Sequence, residues 1–240
     1  MSEFDPPTAL REGTLQVRGQ FNYGSNYTFF VDVLYQGQTL KAVYKPRRGE
    51  APLWDFPHQS LAGREVAAYL LSEALGWELV PFTIFRKGKA PLGSGSLQVY
   101  IEHDPDYHYF TFSEEDRQKL RPVAVFDLVV NNADRKGGHL LFDAHGHLWA
   151  IDHGLCFHEQ DKLRTVIWDF AGEAIPQDLL KGLEGVSSNL EQGESLFHEL
   201  SAFLSGGEPG CLLGRIRKLL EKGVFPKPSD DRRPFPWPPV

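Results

Sequence analysis

Apolar and polar positions alternate along the first hundred residues of this chain and recur at helical spacing along much of the rest. The stretches 13–21, 27–34 and 39–45 alternate as three strands. Turn signals at 22–26 (Asn-Tyr-Gly-Ser-Asn) and at Gln36-Gly37-Gln38 separate them. Residues before Thr8 read as a loose tail, and Pro46 is expected to stop the pairing of the third strand. A Pro-, Gly- and Trp-containing loop over 46–62 leads into a predicted helix over 63–76. There Val66, Tyr69, Leu70 and Ala74 form one apolar stripe, and Gly76 is placed to close the C-terminal end. Two more strands are predicted at 77–85, interrupted at Pro81, and at 96–101, with a polar turn over 87–95 between them.

The pattern changes beyond residue 102. The segment 102–109 is acidic and aromatic without periodicity and reads as a hinge to a second lobe. Ser113 before Glu-Glu-Asp marks a helix N-terminus. Arg121-Pro122 opens the next helix, which carries the apolar run 125–130 toward Asp134. Leu140, Leu141 and Phe142 pair with 148–151 around the turn Ala144-His145-Gly146. A hairpin brings its outer ends together, so Asp134 and Asp152 are expected side by side. Two carboxylates at one mouth repel unless a cation or a proton lies between them, which points to a metal–phosphate site. A short apolar run follows at 165–169, and a helical region starts at Ile175-Pro176. Leu179, Leu180 and Leu183, then Leu196, Leu200 and Leu204, fall at helical spacing. A basic amphipathic helix is expected over 212–220, and the final Pro-Phe-Pro-Trp-Pro-Pro-Val as an extended strap.

Composition narrows the function. A net charge of −7 over 240 residues disfavours a broad nucleic-acid or anionic-membrane footprint, so no nucleic-acid partner is expected. Two cysteines, Cys156 and Cys211, make no disulfide framework and fit a reducing cytosol. The opening MSEFDPPTAL lacks a basic-then-apolar leader, and no apolar run approaches membrane-spanning length. A cytoplasmic protein without integral membrane association is expected.

Several residues carry candidate chemistry. Gly24, Ser25 and Asn26 sit in a turn that could aim backbone N–H groups at phosphate oxygens, although an ordinary hairpin turn is the simpler account and no Walker or G-x-G-x-x-G sequence is present. Lys45 at a strand end is either a solvated edge charge or a cation for nucleotide phosphates steadied by a carboxylate. Glu65 is either that carboxylate or a complement to its helix dipole. His139, Asp143, His145, His147, Asp152, His153 and His158 are dense enough to raise a zinc site, but H-E-x-x-H and paired cysteine spacing are missing. No G-x-S-x-G supports a hydrolase. Asp169, between Trp168 and Phe170, could belong to a packed aromatic pair or touch the loop of Asp134.

Four segments in order resemble one family. Lys45-Pro46, REVAAYLLSEALG over 64–76 followed by Val80-Pro81, FDLVVNNADRKGGH over 126–139, and AIDHGLCF over 150–157 resemble the phosphatidylinositol 3-/4-kinase-like branch of the protein-kinase fold. The likeness is nearest to type II phosphatidylinositol 4-kinases and related bacterial proteins, with HipA-type kinases as distant kin. It implies an α+β, bilobal, protein-kinase-like fold. The N-lobe (1–102) would be an antiparallel sheet plus one helix, and the C-lobe (103–240) mostly helical with a catalytic hairpin. It further implies that Ser25 and Asn26, with Gly24, cover the phosphates, and that Lys45 holds the α/β-phosphates against Glu65. Val99, Tyr100 and Ile101 would receive adenine, Asp134 would orient or deprotonate the acceptor hydroxyl, and Asp152 would hold the metal. His139 stands where the family usually places a second metal ligand, Asn, and imidazole suits Mn²⁺ or Zn²⁺ better than Mg²⁺. The family's palmitoylated cysteine-rich segment is missing, which discounts lipid as acceptor. The implied activity is ATP- and Mg²⁺- or Mn²⁺-dependent transfer of phosphate to a protein or small-molecule hydroxyl. A nucleotide-binding pseudokinase that regulates a partner and a nucleotidyl (AMP) transferase on the same fold stand as alternatives.

Overall fold

In the computed structural model, residues 5–21, 25–88 and 90–240 are described. Of the residues expected in a loose tail, Pro6 and Pro7 are helical: helix α1 spans Pro6–Glu12. Two prolines fit its first turn, where the N–H groups have no helical partner. Burial of Ala9 and Leu10 holds it to the sheet, and the guanidinium of Arg86 donates to the Leu10 carbonyl and, at 2.7 Å, to that of Gly13.

Strands β1 (Thr14–Phe21), β2 (Thr28–Tyr35), β3 (Gln38–Pro46), β4 (Thr83–Arg86) and β5 (Gly95–Val99) form one antiparallel sheet in the order β1-β2-β3-β5-β4. Pairing ends at Pro46, as expected, and Pro46 is itself the last paired residue. It lies opposite Gly95, and Lys45 lies opposite Ser96. A Cβ on Gly95 would meet the Lys45 carbonyl at 2.3 Å, so only glycine lets the two strands close next to the lysine. The strand expected at 77–85 is reduced to β4. Its first half gives its amides elsewhere, with Leu79 and Val80 both donating to the Ser72 hydroxyl and the Leu79 carbonyl accepting from Ala150.

Helix α2 (Leu61–Leu75) connects β3 to β4 and ends, as its sequence predicts, on Gly76 in the left-handed conformation. Its residues Ala67, Ala68, Leu71 and Leu75 belong to the larger of two cores, shared with the helices of the second half. A smaller core under the sheet gathers Leu10, Val31, Val33, Ala42, Tyr44 and Leu97. The second half comprises α3 (Glu114–Gln118), α4 (Arg121–Val130), the hairpin β6 (Leu140–Phe142) and β7 (Leu148–Ala150), then α5 (Gln177–Gln192), α6 (Ser195–Ser201) and α7 (Glu208–Lys222). The Ser113 hydroxyl accepts the Asp116 N–H and caps α3. Residues 165–169 form no strand beyond a single bridge of Thr165 with Arg135; the Thr165 N–H goes to the Pro234 carbonyl and its hydroxyl to Asp127. The C-terminal segment 234–240 is not the extended strap expected: it bends at Phe235, Trp237 and Pro238, and its Pro239 carbonyl accepts the Gly137 N–H.

Candidate active site

Strand β3 delivers Lys45 to the edge of a cleft, and α2 delivers Glu65 beside it. The ammonium donates to Glu65 Oε1 and, at 2.9 Å, to Asp152 Oδ1. The second Glu65 oxygen accepts the backbone N–H of His153 at 2.9 Å. Burial alone would lower the Lys45 pKa, but the carboxylates of Asp152 and Glu65 outweigh it and hold the ammonium above the ordinary lysine value. Burial raises Glu65 in spite of Lys45. Burial would raise Asp152 as well, yet the Lys45 ammonium outweighs it and keeps the carboxyl well below the usual carboxylate range. Asp152 has a left-handed backbone, φ 62°, which an L residue adopts only when neighbouring contacts hold it.

The loop after α4 supplies the second carboxylate. Asn131 turns the chain out of the helix at φ 55°, a conformation Asn tolerates. The Asn132 side chain accepts the Asp134 N–H at 2.9 Å, and Ala133 N–H donates to the Leu155 carbonyl at 2.9 Å, which ties the two acidic loops together. Arg135 next to Asp134 is fully buried and ion-paired with Asp127 on α4. The Asp134 carboxyl is pushed up to about 6 by burial, with Asp152 adding to the shift and Lys136, 3.6 Å away, opposing it.

These groups line one cavity of about 240 Å³, whose wall includes Ser25, Lys45, Glu65, Asp134, Lys136 and Asp152. Asp134 and Asp152 thus share a mouth, as the hairpin geometry predicts. Gly24 lies outside the described residues. Asn26 also lines the cavity, but its side-chain oxygen accepts the Ala51 N–H at 2.7 Å, which ties Asn26 to the β3–α2 loop. Val99, Tyr100 and Ile101 are absent from this wall. Val99 pairs with Ala42, the Tyr100 N–H donates to the Lys41 carbonyl, and the Ile101 carbonyl faces the His103 ring.

The donor set suits a divalent cation. Asp152 is ionised and half exposed, and Asp134 stands in the same cavity. His139 reaches Asp152 Oδ2 with Nε2 at 3.4 Å, while its Nδ1 accepts the Lys136 N–H at 3.4 Å. Burial takes its pKa down to about 4, so the imidazole is neutral, and these two contacts place its proton on Nε2. Service as a metal ligand through Nε2 calls for the other tautomer, in which the Lys136 N–H loses its acceptor.

The remaining histidines do not converge. Nε2 of His147 pairs with the Glu78 carbonyl and that of His158 with the Asp55 carbonyl. Among the described residues no group of three or more His, Cys, Asp or Glu is placed to hold a metal ion. Asp169 accepts the Tyr109 hydroxyl at 2.7 Å, and Tyr109 in turn donates its N–H to Gly137, so it supports the loop of Asp134 at one remove.

Sequence reasoning missed Glu50 and the Arg135–Asp127 pair. Glu50 lines the cavity and accepts the N–H groups of Leu61 and Ala62 at 3.1 and 2.9 Å, capping α2 from eleven residues upstream. Only the fold brings a cap from so far. Arg135 and Asp127 sit eight apart, at the end of a helix and in a loop, a spacing that carries no local signal.

The model of the family described as phosphatidylinositol 3- and 4-kinase matches residues 59–191, from the start of α2 into α5. Protein Rv2133c of Mycobacterium tuberculosis is 38% identical over 269 residues, covering 98% of this chain and 95% of that protein. Phosphatidylinositol 4-kinase gamma 4 of rice, Oryza sativa subsp. japonica, is 32% identical over 122 residues, 44% of this chain and 22% of that protein. The crystal structure of the Helicobacter pylori proinflammatory kinase CtkA shares the fold, with a TM-score of 0.54 at 11% identity over 90% of this chain and 94% of that one. No helix among the described residues is long and apolar enough to cross a membrane. The chain belongs to the phosphatidylinositol 3- and 4-kinase family of kinase-like phosphotransferases.

Proposed function

We propose that this protein is an ATP-dependent phosphotransferase that moves the γ-phosphoryl group to a hydroxyl of a protein or small molecule. One observation carries the proposal: Lys45, Glu65, Asp134 and Asp152, spread over more than a hundred residues of sequence, face a single cavity. Phosphoryl transfer asks for positioning and charge neutralisation rather than covalent work by the protein. Lys45, held by Glu65, binds the nucleotide phosphates. Asp134 orients the acceptor hydroxyl and takes its proton, and its raised pKa brings it closer to the operating pH, where proton transfer is most effective. Lys136, beside Asp134, neutralises charge on the transferring group. Asp152 would hold Mg²⁺ or Mn²⁺, with His139 steadying its other oxygen. When bound, the metal offsets the negative charge of the β- and γ-phosphate oxygens.

The test is product analysis with ATP and either metal, without and with candidate acceptors, including phosphatidylinositol. The proposal expects ADP, and no product from Asp152→Ala. AMP attached to the acceptor would establish nucleotidyl transfer instead, and tight ATP binding without turnover a pseudokinase. Product from phosphatidylinositol alone would move the acceptor to lipid.

A further inference from the structure

We propose that His153, which the transfer chemistry itself does not touch, is a positioning residue. Its imidazole holds Asp152 in the left-handed conformation from which that carboxylate meets Lys45 and the cavity. What Asp152 then does rests on the phosphotransferase proposal; the contacts of His153 do not.

The residues on both sides of Asp152 are fixed by one guanidinium. Arg135 Nη1 donates to the Ile151 carbonyl at 2.7 Å, and Arg135 Nη2 lies 2.7 Å from His153 Nε2. Arg135 is itself held by Asp127, with Nε 3.1 Å from each carboxylate oxygen. The His153 backbone N–H goes to Glu65, and its ring stands edge-on to Phe126 at 5.5 Å. Asp152 therefore has little freedom to relax its φ of 62° while these contacts persist.

The hydrogen-bond chemistry says which nitrogen matters. A guanidinium only donates, so Nε2 must accept, and the ring proton must be on Nδ1. Nδ1 is buried and has no hydrogen-bond partner among the described residues. Among the described residues, the ring of this fully buried histidine makes its one hydrogen bond through Nε2. Glutamine can carry an acceptor oxygen to the Nε2 position. Asparagine falls short of it, and leucine offers none.

The experiment uses the full chain with His153→Gln, His153→Asn and His153→Leu. Mn²⁺ binding in the presence of a non-hydrolysable ATP analogue is followed by electron paramagnetic resonance, alongside melting temperature and ¹⁵N spectra of the histidine rings. Removing the orienting partner of a metal-binding side chain typically lowers metal affinity about 10- to 100-fold. That loss is expected for leucine and asparagine, with most of the affinity recovered by glutamine and metal-free nucleotide binding unchanged in all three. The ring spectrum should show the proton of His153 on Nδ1. Equal Mn²⁺ affinity in the folded glutamine and asparagine variants overturns the proposal, as does a proton on Nε2. If the leucine variant does not fold, the glutamine–asparagine pair decides. If the unaltered protein binds neither nucleotide nor Mn²⁺, the phosphotransferase proposal fails, and the ring spectrum alone judges the contact between His153 and Arg135.

Discussion

Two ion pairs flank the cleft and differ in one respect that organises the rest. Arg135–Asp127 is sealed, with both side chains at 0% exposure, whereas Lys45–Glu65 opens on the cavity through a lysine that is 22% exposed. The donors of Arg135 go to Asp127, His139, Ile151 and His153, all of them protein groups. Lys45 has three donors, and Glu65 and Asp152 take two of them. The sealed pair therefore fixes the two acidic loops to each other, and the open pair keeps a charge for whatever enters. Rigidity and chemistry are placed on different pairs because a charge that serves a ligand has to reach it, and one that braces loops does best where water cannot compete.

That contrast can be broken most forcefully at its sealed end. Asp127→Ala strands a buried guanidinium and should remove about 3–5 kcal/mol of stability, read by urea unfolding; a loss under 1 kcal/mol would mean that the pair braces little. At the open end, Lys45→Met should lower turnover about 10²- to 10³-fold, the usual effect of deleting one preorganised electrostatic group, while unfolding stays nearer the parent than in Asp127→Ala. Comparable destabilisation by both would erase the division of labour.

Asp134 sharpens the comparison through pH. Its folded pKa of about 6 lies above the unfolded 3.8, so the folded state disfavours its charged form. The penalty is absent below the unfolded value and complete above about 6. Asp134→Asn should therefore raise the melting temperature at pH 8 and have little effect at pH 4, while turnover of the parent falls as the pH drops through about 6. A variant equally stabilised at both pH values would refute this origin. The smallest effect is reserved for a site remote from both pairs: Ser113→Ala should cost about 1 kcal/mol through loss of the α3 cap and leave turnover unchanged.

Much of this was legible in the residues. Alternation marked the meander of β1 to β3, Gly76 marked the end of α2, and the 140–151 hairpin with its flanking acids marked the cavity. What escaped was whatever depends on tertiary partners. Pro6 and Pro7 look like a tail until Leu10 finds the sheet. The sealed pair could not be read at all, since a buried arginine has the same letter as a solvated one, and Glu50 caps a helix it does not adjoin. Val99 to Ile101, which only the resemblance places beside adenine, lie outside the wall of this cavity.

The most direct measurement is the melting temperature with ATP alone, with ATP and Mg²⁺, and with ATP and Mn²⁺, for the parent and for Lys45→Met and Asp152→Asn. Binding to the native state raises stability by mass action. The account predicts a rise with ATP that grows with metal, loses its metal increment in Asp152→Asn and disappears in Lys45→Met. The same rise in all three proteins, or none in the parent, would contradict it.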